Sequence, residues 1–251
     1  MRLRLKAFGV HLLGSALILS LVLGLLYLGW YHWPGWYLSD VAKVIGIMAV
    51  VDLALGPLLT FVIASPAKPR RELKRDVAVI VALQLVALGY GTVQLWNGRP
   101  LYYAFSENVL QVVQAYDLEP VELALAEQSK APLRPHWYSL PRWIWAPLPK
   151  NAETAAKIAQ GAIEGGYDVI GMPRYYQPWA AGIPDLRKQL NKLEYSNFFT
   201  KAQKALLVKR MAAAGFATDL PDTIPMTGRA HPLLAVFDPK TMELRGIFSG
   251  T

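Results

Sequence analysis

Twenty consecutive residues from Val44 to Ile63 contain a single charged side chain, Asp52, together with Gly56 and Pro57. At a helical rise of about 1.5 Å per residue such a run covers roughly 30 Å, the thickness of a bilayer's hydrocarbon core. Asp52 falls near its middle. A charged side chain there costs at least about 2.5 kcal/mol, so Asp52 is expected to face a protein partner or to be protonated rather than to meet lipid. Pro57 withdraws a backbone donor and crowds the preceding turn. A kink is therefore expected at Gly56-Pro57, with a freed carbonyl in need of another partner.

Two further runs, Ala7 to Trp30 and Val77 to Trp96, have comparable length, and His11 is the one other acidic, basic or imidazole side chain within the three. Core helices of a globular protein would show a polar face, which these runs lack. The first run follows Arg2, Arg4 and Lys6 as a secretory signal would, but it is too long. Bulky aromatics also stand where a small-residue cleavage site belongs, so it reads as an uncleaved anchor. The fold class expected is a membrane protein with three N-terminal transmembrane α-helices followed by a soluble α+β domain. The three-helix region covers residues 1–97, with a basic cytoplasmic loop over 64–76, and the outer domain covers 98–251.

The basic residues set the orientation. Arg2, Arg4 and Lys6 precede the first run, and Lys68, Arg70, Arg71, Lys74 and Arg75 separate the second from the third, whereas Tyr31 to Lys43 offers only Lys43 against Asp40. Both basic segments are expected in the cytoplasm and the tail beyond Trp96 outside it. Up to Trp96 there are nine basic and four acidic residues, so much of the net charge of +8 is topology signal and poor evidence for nucleic acid. The absence of cysteine removes disulfides, thiolate metal sites and a cysteine nucleophile.

Trp30 to Tyr37, with four aromatic rings around Pro34-Gly35 besides Tyr31 and His32, reads as an interfacial belt, and Ser39-Asp40 as the N-cap of the second helix. Gln84, Tyr90, Thr92 and Gln94 are the polar residues of the third run. Gln84 and Tyr90 are each expected within reach of Asp52, and Gly89 and Gly91 permit close helix approach. Beyond Asn97 the pattern predicts a hairpin over Leu101–Phe105 and Val109–Ala115, then a short helix over Asp117–Gln128. Five prolines between Pro132 and Pro149 argue against regular structure, and the tryptophans among them suggest packing onto the domain or a membrane surface. Helices are expected from Asn151 to Gly165-Gly166, from Pro184-Asp185 to Leu193, and from Phe199 to Ala214, with a short strand or extended link over Tyr167–Gly171. Leu233–Phe237 and Met242–Phe248 predict a closing hairpin, joined with the first in one sheet.

Catalytic patterns are missing. The chain has no phosphate-binding loop, dinucleotide fingerprint, nucleophile elbow or zinc-protease motif, and its four histidines are scattered singly. No cofactor, metal or catalytic residue is expected. Acids such as Glu119, Glu122, Asp219 and Asp222 read as solvated helix faces or loops.

Val51-Asp52-Leu53-Ala54-Leu55-Gly56-Pro57-Leu58-Leu59-Thr60, Gln84-Leu85-Val86-Ala87-Leu88-Gly89-Tyr90-Gly91 and Gly98-Arg99-Pro100 together resemble the TfpX/TfpZ type of type IV pilin accessory proteins. The chain departs from that pattern at Asn108-Val109, where the family carries Asp-Arg. The resemblance implies a non-enzymatic inner-membrane protein with a periplasmic domain that assists pilus assembly. Its partners would be the membrane, the major pilin and the assembly machinery, with Asp52, Gly56, Pro57, Gln84, Tyr90 and Arg99 as partner-binding positions. Pilins of this class carry an apolar N-terminal helix with an amine and a carboxylate near its start, and Asp52 is a candidate to meet it. The alternative for Asp52 is internal, a bond to Gln84 or Tyr90 that holds the helices together. Alternatives for the whole chain are a membrane-anchored pilin-modifying enzyme or a periplasmic ligand sensor.

Overall fold

The computed structural model describes residues 1–65, 68–164, 168–216 and 222–251. The chain forms two compact units, Met1–His32 with Val41–Gly98 and Trp33–Asp40 with Arg99–Thr251.

The first unit consists of three helices, α1 (Arg2–Tyr31), α2 (Ala42–Ile63) and α3 (Arg70–Asn97), each long and apolar enough to cross a bilayer. Leu19, Leu26, Met48, Leu88 and Leu95 fill the contacts between them, while Leu17 and Val86 stand more than 70% exposed on the outer faces. That apolar exterior suits a lipid solvent, in which helices associate by close packing and polar contacts rather than by hiding apolar surface. At one end Tyr31 Oη donates to the Leu95 carbonyl at 2.7 Å and Trp30 packs edge-on against Trp96. At the other, Arg4 Nε donates to the Ala64 carbonyl at 2.9 Å.

Two expectations are corrected here. Ser39-Asp40 does not cap α2, whose N-cap is Val41 with no side-chain bond, because Asp40 adopts a left-handed φ of 49° in the turn before it. The basic segment expected as a loop over 64–76 is helical from Arg70 onward: extended Pro69 ends the loop, and the charged residues that follow are good helix formers. The disturbance expected at Gly56-Pro57 takes the form of a π turn over Val50–Leu55, closed by Gly56 N–H donating to the Val51 carbonyl. Pro57 supplies no N–H to the carbonyl four residues back and its ring crowds it, and the wider turn relieves both problems.

The second unit is built on a seven-stranded mixed sheet of order β4-β3-β1-β2-β5-β6-β7. The hairpin of β1 (Pro100–Ser106) and β2 (Val109–Gln114) lies at its centre, and every residue of β1 is buried. Side chains alternate between its faces, Tyr103 and Phe105 on one, Tyr102 and Ala104 on the other, and each face has its own core. The closing hairpin, β6 (Leu233–Phe237) with β7 (Leu244–Ser249), shares this sheet as expected, but through an unforeseen strand β5 (Thr223–Thr227), parallel to β2 and antiparallel to β6.

Proline misled the reading of the segment 132–149. Arg142–Trp145 is β3, parallel to β1, because Pro141 and Pro147 flank this proline-free run instead of interrupting it; the short β4 (Gln177–Pro178) completes that edge. Helix α4 spans Pro120–Gln128, and α5 (Ala152–Ile163) begins as expected, with Asn151 Oδ1 accepting from Thr154 N–H at 2.9 Å. The expected end of α5 at Gly165-Gly166, together with Tyr167 and Asp219, lies outside the described residues. Val169–Gly171 forms a 3₁₀ turn rather than a short strand or extended link. Helix α6 (Trp179–Gln189) starts five residues before Pro184, which it contains, so Pro184-Asp185 is not its start and Leu193 belongs to a separate 3₁₀ turn. Helix α7 (Lys201–Ala213) has a reciprocal Thr200–Gln203 capping box and ends before Gly215 at φ 79°.

Candidate functional site

Asp52 lies within the π turn of α2 and is 5% exposed. Gln84 of α3, equally buried, reaches it: Nε2 donates to the Asp52 carbonyl at 3.2 Å and faces the Val51 carbonyl at 3.5 Å. A carbonyl left unpaired by the π turn thus finds a donor on the neighbouring helix, as a buried backbone carbonyl requires. Gly56 makes this possible. A Cβ there would overlap the Gln84 amide, so only glycine lets α3 bring that side chain against α2.

The cluster extends through residues that the sequence reading did not select. His11 of α1 places Nε2 2.7 Å from Gln84 Oε1 and Nδ1 2.6 Å from Thr60 Oγ1. Because Gln84 directs its NH₂ group at backbone carbonyls, its oxygen faces His11, and His11 Nε2 must carry a proton. In the neutral ring Nδ1 then accepts from the Thr60 hydroxyl. The result is a chain of bonds running Thr60 to His11 to Gln84 to Asp52, all pointing one way, an arrangement in which each bond polarises the next. All three helices contribute, over sequence separations of 49 and 73 residues.

A cleft of about 500 Å³ opens over this cluster between α1 and α3. Val10 and Ile18 of α1 and Val81 and Leu85 of α3 wall it, and Asp52, Thr60 and Gln84 form polar points on its floor. Lys6 stands at its margin. A second groove of about 320 Å³, lined by Ile47, Met48, Tyr90 and Gln94 among others, also reaches Asp52.

Of the positions selected from sequence, Asp52, Gly56 and Gln84 meet in one place, and buried Pro57 lies beside them. Tyr90 does not donate to Asp52: it is 68% exposed and shares only the second groove with it. Arg99 stands apart in the second unit, buried, with Nη2 donating to the Trp137 carbonyl at 3.0 Å. Of the two glycines expected to permit close approach, Gly91 does so, since a Cβ would meet Met48 Cγ at 2.6 Å, whereas Gly89 faces open space. His11 and Thr60 were overlooked because each stands alone in its own run. The available signal was that one imidazole stands in an anchor run otherwise free of acids, bases and imidazoles.

Comparison with known proteins places these features in company. The chain is 28% identical over 206 residues to the fimbrial assembly protein of serogroup I from Dichelobacter nodosus, covering 81% of this chain and 78% of that protein. It is 27% identical over 214 residues to the serogroup E1 protein of the same organism, covering 80% and 81% respectively. To the protein of serogroups C1 and C2 it is 30% identical over 121 residues, 48% of this chain and 92% of that protein. No protein-family model matches the chain, and no solved structure matches it significantly.

Proposed function

The chain belongs to the fimbrial assembly protein family, and from that premise we propose that it serves type IV pilus biogenesis as a non-enzymatic accessory protein of the TfpX/TfpZ type. In this reading it sits in the inner membrane with its N-terminus cytoplasmic and the unit after Gly98 in the periplasm. It holds the major pilin beside the assembly machinery while the pilin is still embedded in lipid.

The cleft between α1 and α3 carries the reading. Apolar helices gain little from burying one another in a bilayer, so a groove recognises a lipid-embedded helix by shape and by polar groups within it. The apolar first helix of a pilin, with an amine and a carboxylate near its start, matches a groove of apolar walls and a floor of Asp52, Gln84 and His11. The amine pairs with the Asp52 carboxylate, which relieves the cost of that acid at membrane depth.

A photo-reactive side chain at Leu85, inside the cleft, is expected to trap pilin in cells, whereas one at the adjacent outward-facing Val86 is not. Equal trapping from both positions, or labelling confined to the protein's own helices, would overturn the reading.

A further inference from the structure

In two segments of the second unit tryptophans are left outside its cores. In the turn from Pro135 to Leu140, Trp137 is 74% exposed, Tyr138 59% and Leu140 57%, although Trp143 and Trp145 a few residues on pack against the core. Trp33 and Trp36, in the other segment, are each 40% exposed. The first turn is held rigidly from beneath. Tyr102 Oη donates to the Leu133 carbonyl at 2.7 Å, His136 N–H donates to Ser139 Oγ at 2.8 Å, and Ser139 N–H returns a bond to the His136 carbonyl at 3.0 Å. Burial pushes the Tyr102 phenol up to about 12, so this donor keeps its proton at any physiological pH. His136 stacks on Tyr138 at 5.7 Å, which holds that ring outward.

The tether to the rest of the chain says what covers such a turn. Arg99 stands two residues beyond the end of α3, and its guanidinium binds the Trp137 carbonyl. Trp137 is therefore within about one side chain and two residues, roughly 15 Å, of the point where the chain leaves its third apolar helix. Trp33 likewise follows directly on His32, where the first stretch of the first unit ends. Rings with an apolar body and a polar tip favour the headgroup layer of a bilayer, and basic Arg134 and Arg142 flank the turn in sequence, Arg134 paired with Glu127 and Arg142 donating to the Arg134 carbonyl and lying over the Tyr102 ring.

We propose that the Pro135–Leu140 turn is a lipid-interface anchor: Trp137, Tyr138 and Leu140 enter the headgroup layer and fix the second unit against the membrane that the helices span. This rests on the reading that α1 to α3 cross a bilayer, but not on any contact with pilin.

The chain has no cysteine, so one introduced cysteine is a unique reporter. Trp137→Cys, Leu140→Cys, Val86→Cys on α3 and Ile163→Cys, 87% exposed at the end of α5, are each labelled with an environment-sensitive dye. The full chain is reconstituted without pilin into phosphatidylethanolamine–phosphatidylglycerol vesicles. A headgroup-level nitroxide lipid is expected to quench positions 137 and 140 at least about threefold more than position 163, and a deep nitroxide to quench position 86. Quenching at 86 with none above the 163 level at 137 and 140 overturns the anchor alone. No quenching at 86 overturns the spanning reading and the anchor with it. Protection at 137 that arises only when pilin is added makes the turn a protein contact and overturns the proposal.

Discussion

Gly56 and Gly89 show how differently the same residue type acts at two places in the helical unit. A methyl group at Gly56 would occupy the space of the Gln84 amide, which holds both Asp52 and His11, whereas one at Gly89 meets nothing. Gly56→Ala is therefore expected to lower stability by about 1–3 kcal/mol, as overpacking does, seen as a drop in the thermal midpoint in detergent. Gly89→Ala should be neutral, or stabilising by up to about 1 kcal/mol through reduced chain entropy. Gln84→Ala is expected to cost about 1–2 kcal/mol, the upper range for polar contacts between membrane helices, because it strands donors and acceptors on both neighbours. A double-mutant cycle with His11→Ala should show the two sites coupled. At this scale Asp52 was legible, since one acid in an apolar run has to be explained. Thr60 was not: a threonine in a helix can satisfy its hydroxyl on its own backbone, and only the fold shows that His11 receives it.

Elements were legible where composition alone dictates them. Three apolar runs become three helices, and the helix expected from Phe199 to Ala214 is α7, whose start two residues later is set by the Thr200–Gln203 capping box that the reading did not use. Strand β3 was hidden because its partner, β1, lies some forty residues earlier and a four-residue run between prolines has no pattern of its own. Its burial nevertheless makes it essential. Ile144 is fully buried between β1 and the chain segments over that face, so Ile144→Ala is expected to destabilise the second unit by about 2–5 kcal/mol, measurable as faster proteolysis within residues 99–251. In α2 the π turn is attributable to Pro57. Pro57→Ala restores a donor, so the variant should remain folded while the turn tightens and shifts Asp52 relative to the C-terminal half of the helix. Pilin trapping from Leu85 should fall accordingly.

For the whole molecule, the distribution of basic residues predicts that phosphatase fused after Thr251 is active, being exported, and that the same reporter fused after Ser65 is not. The link between α1 and α2 has a different lesson. Leu38 is completely buried in one core of the second unit, its carbonyl accepts from Arg229 N–H at 2.7 Å, and a Cβ on Gly228 would crowd it. Eight residues made early in synthesis thus complete a domain whose remainder begins about sixty residues later. A fragment started at Arg99 would be missing a plug from its own interior, so it is expected to be cleaved faster by protease than the same residues within the full chain. Folding of this unit is in this way tied to both ends of the chain, with an early loop waiting for the last strands.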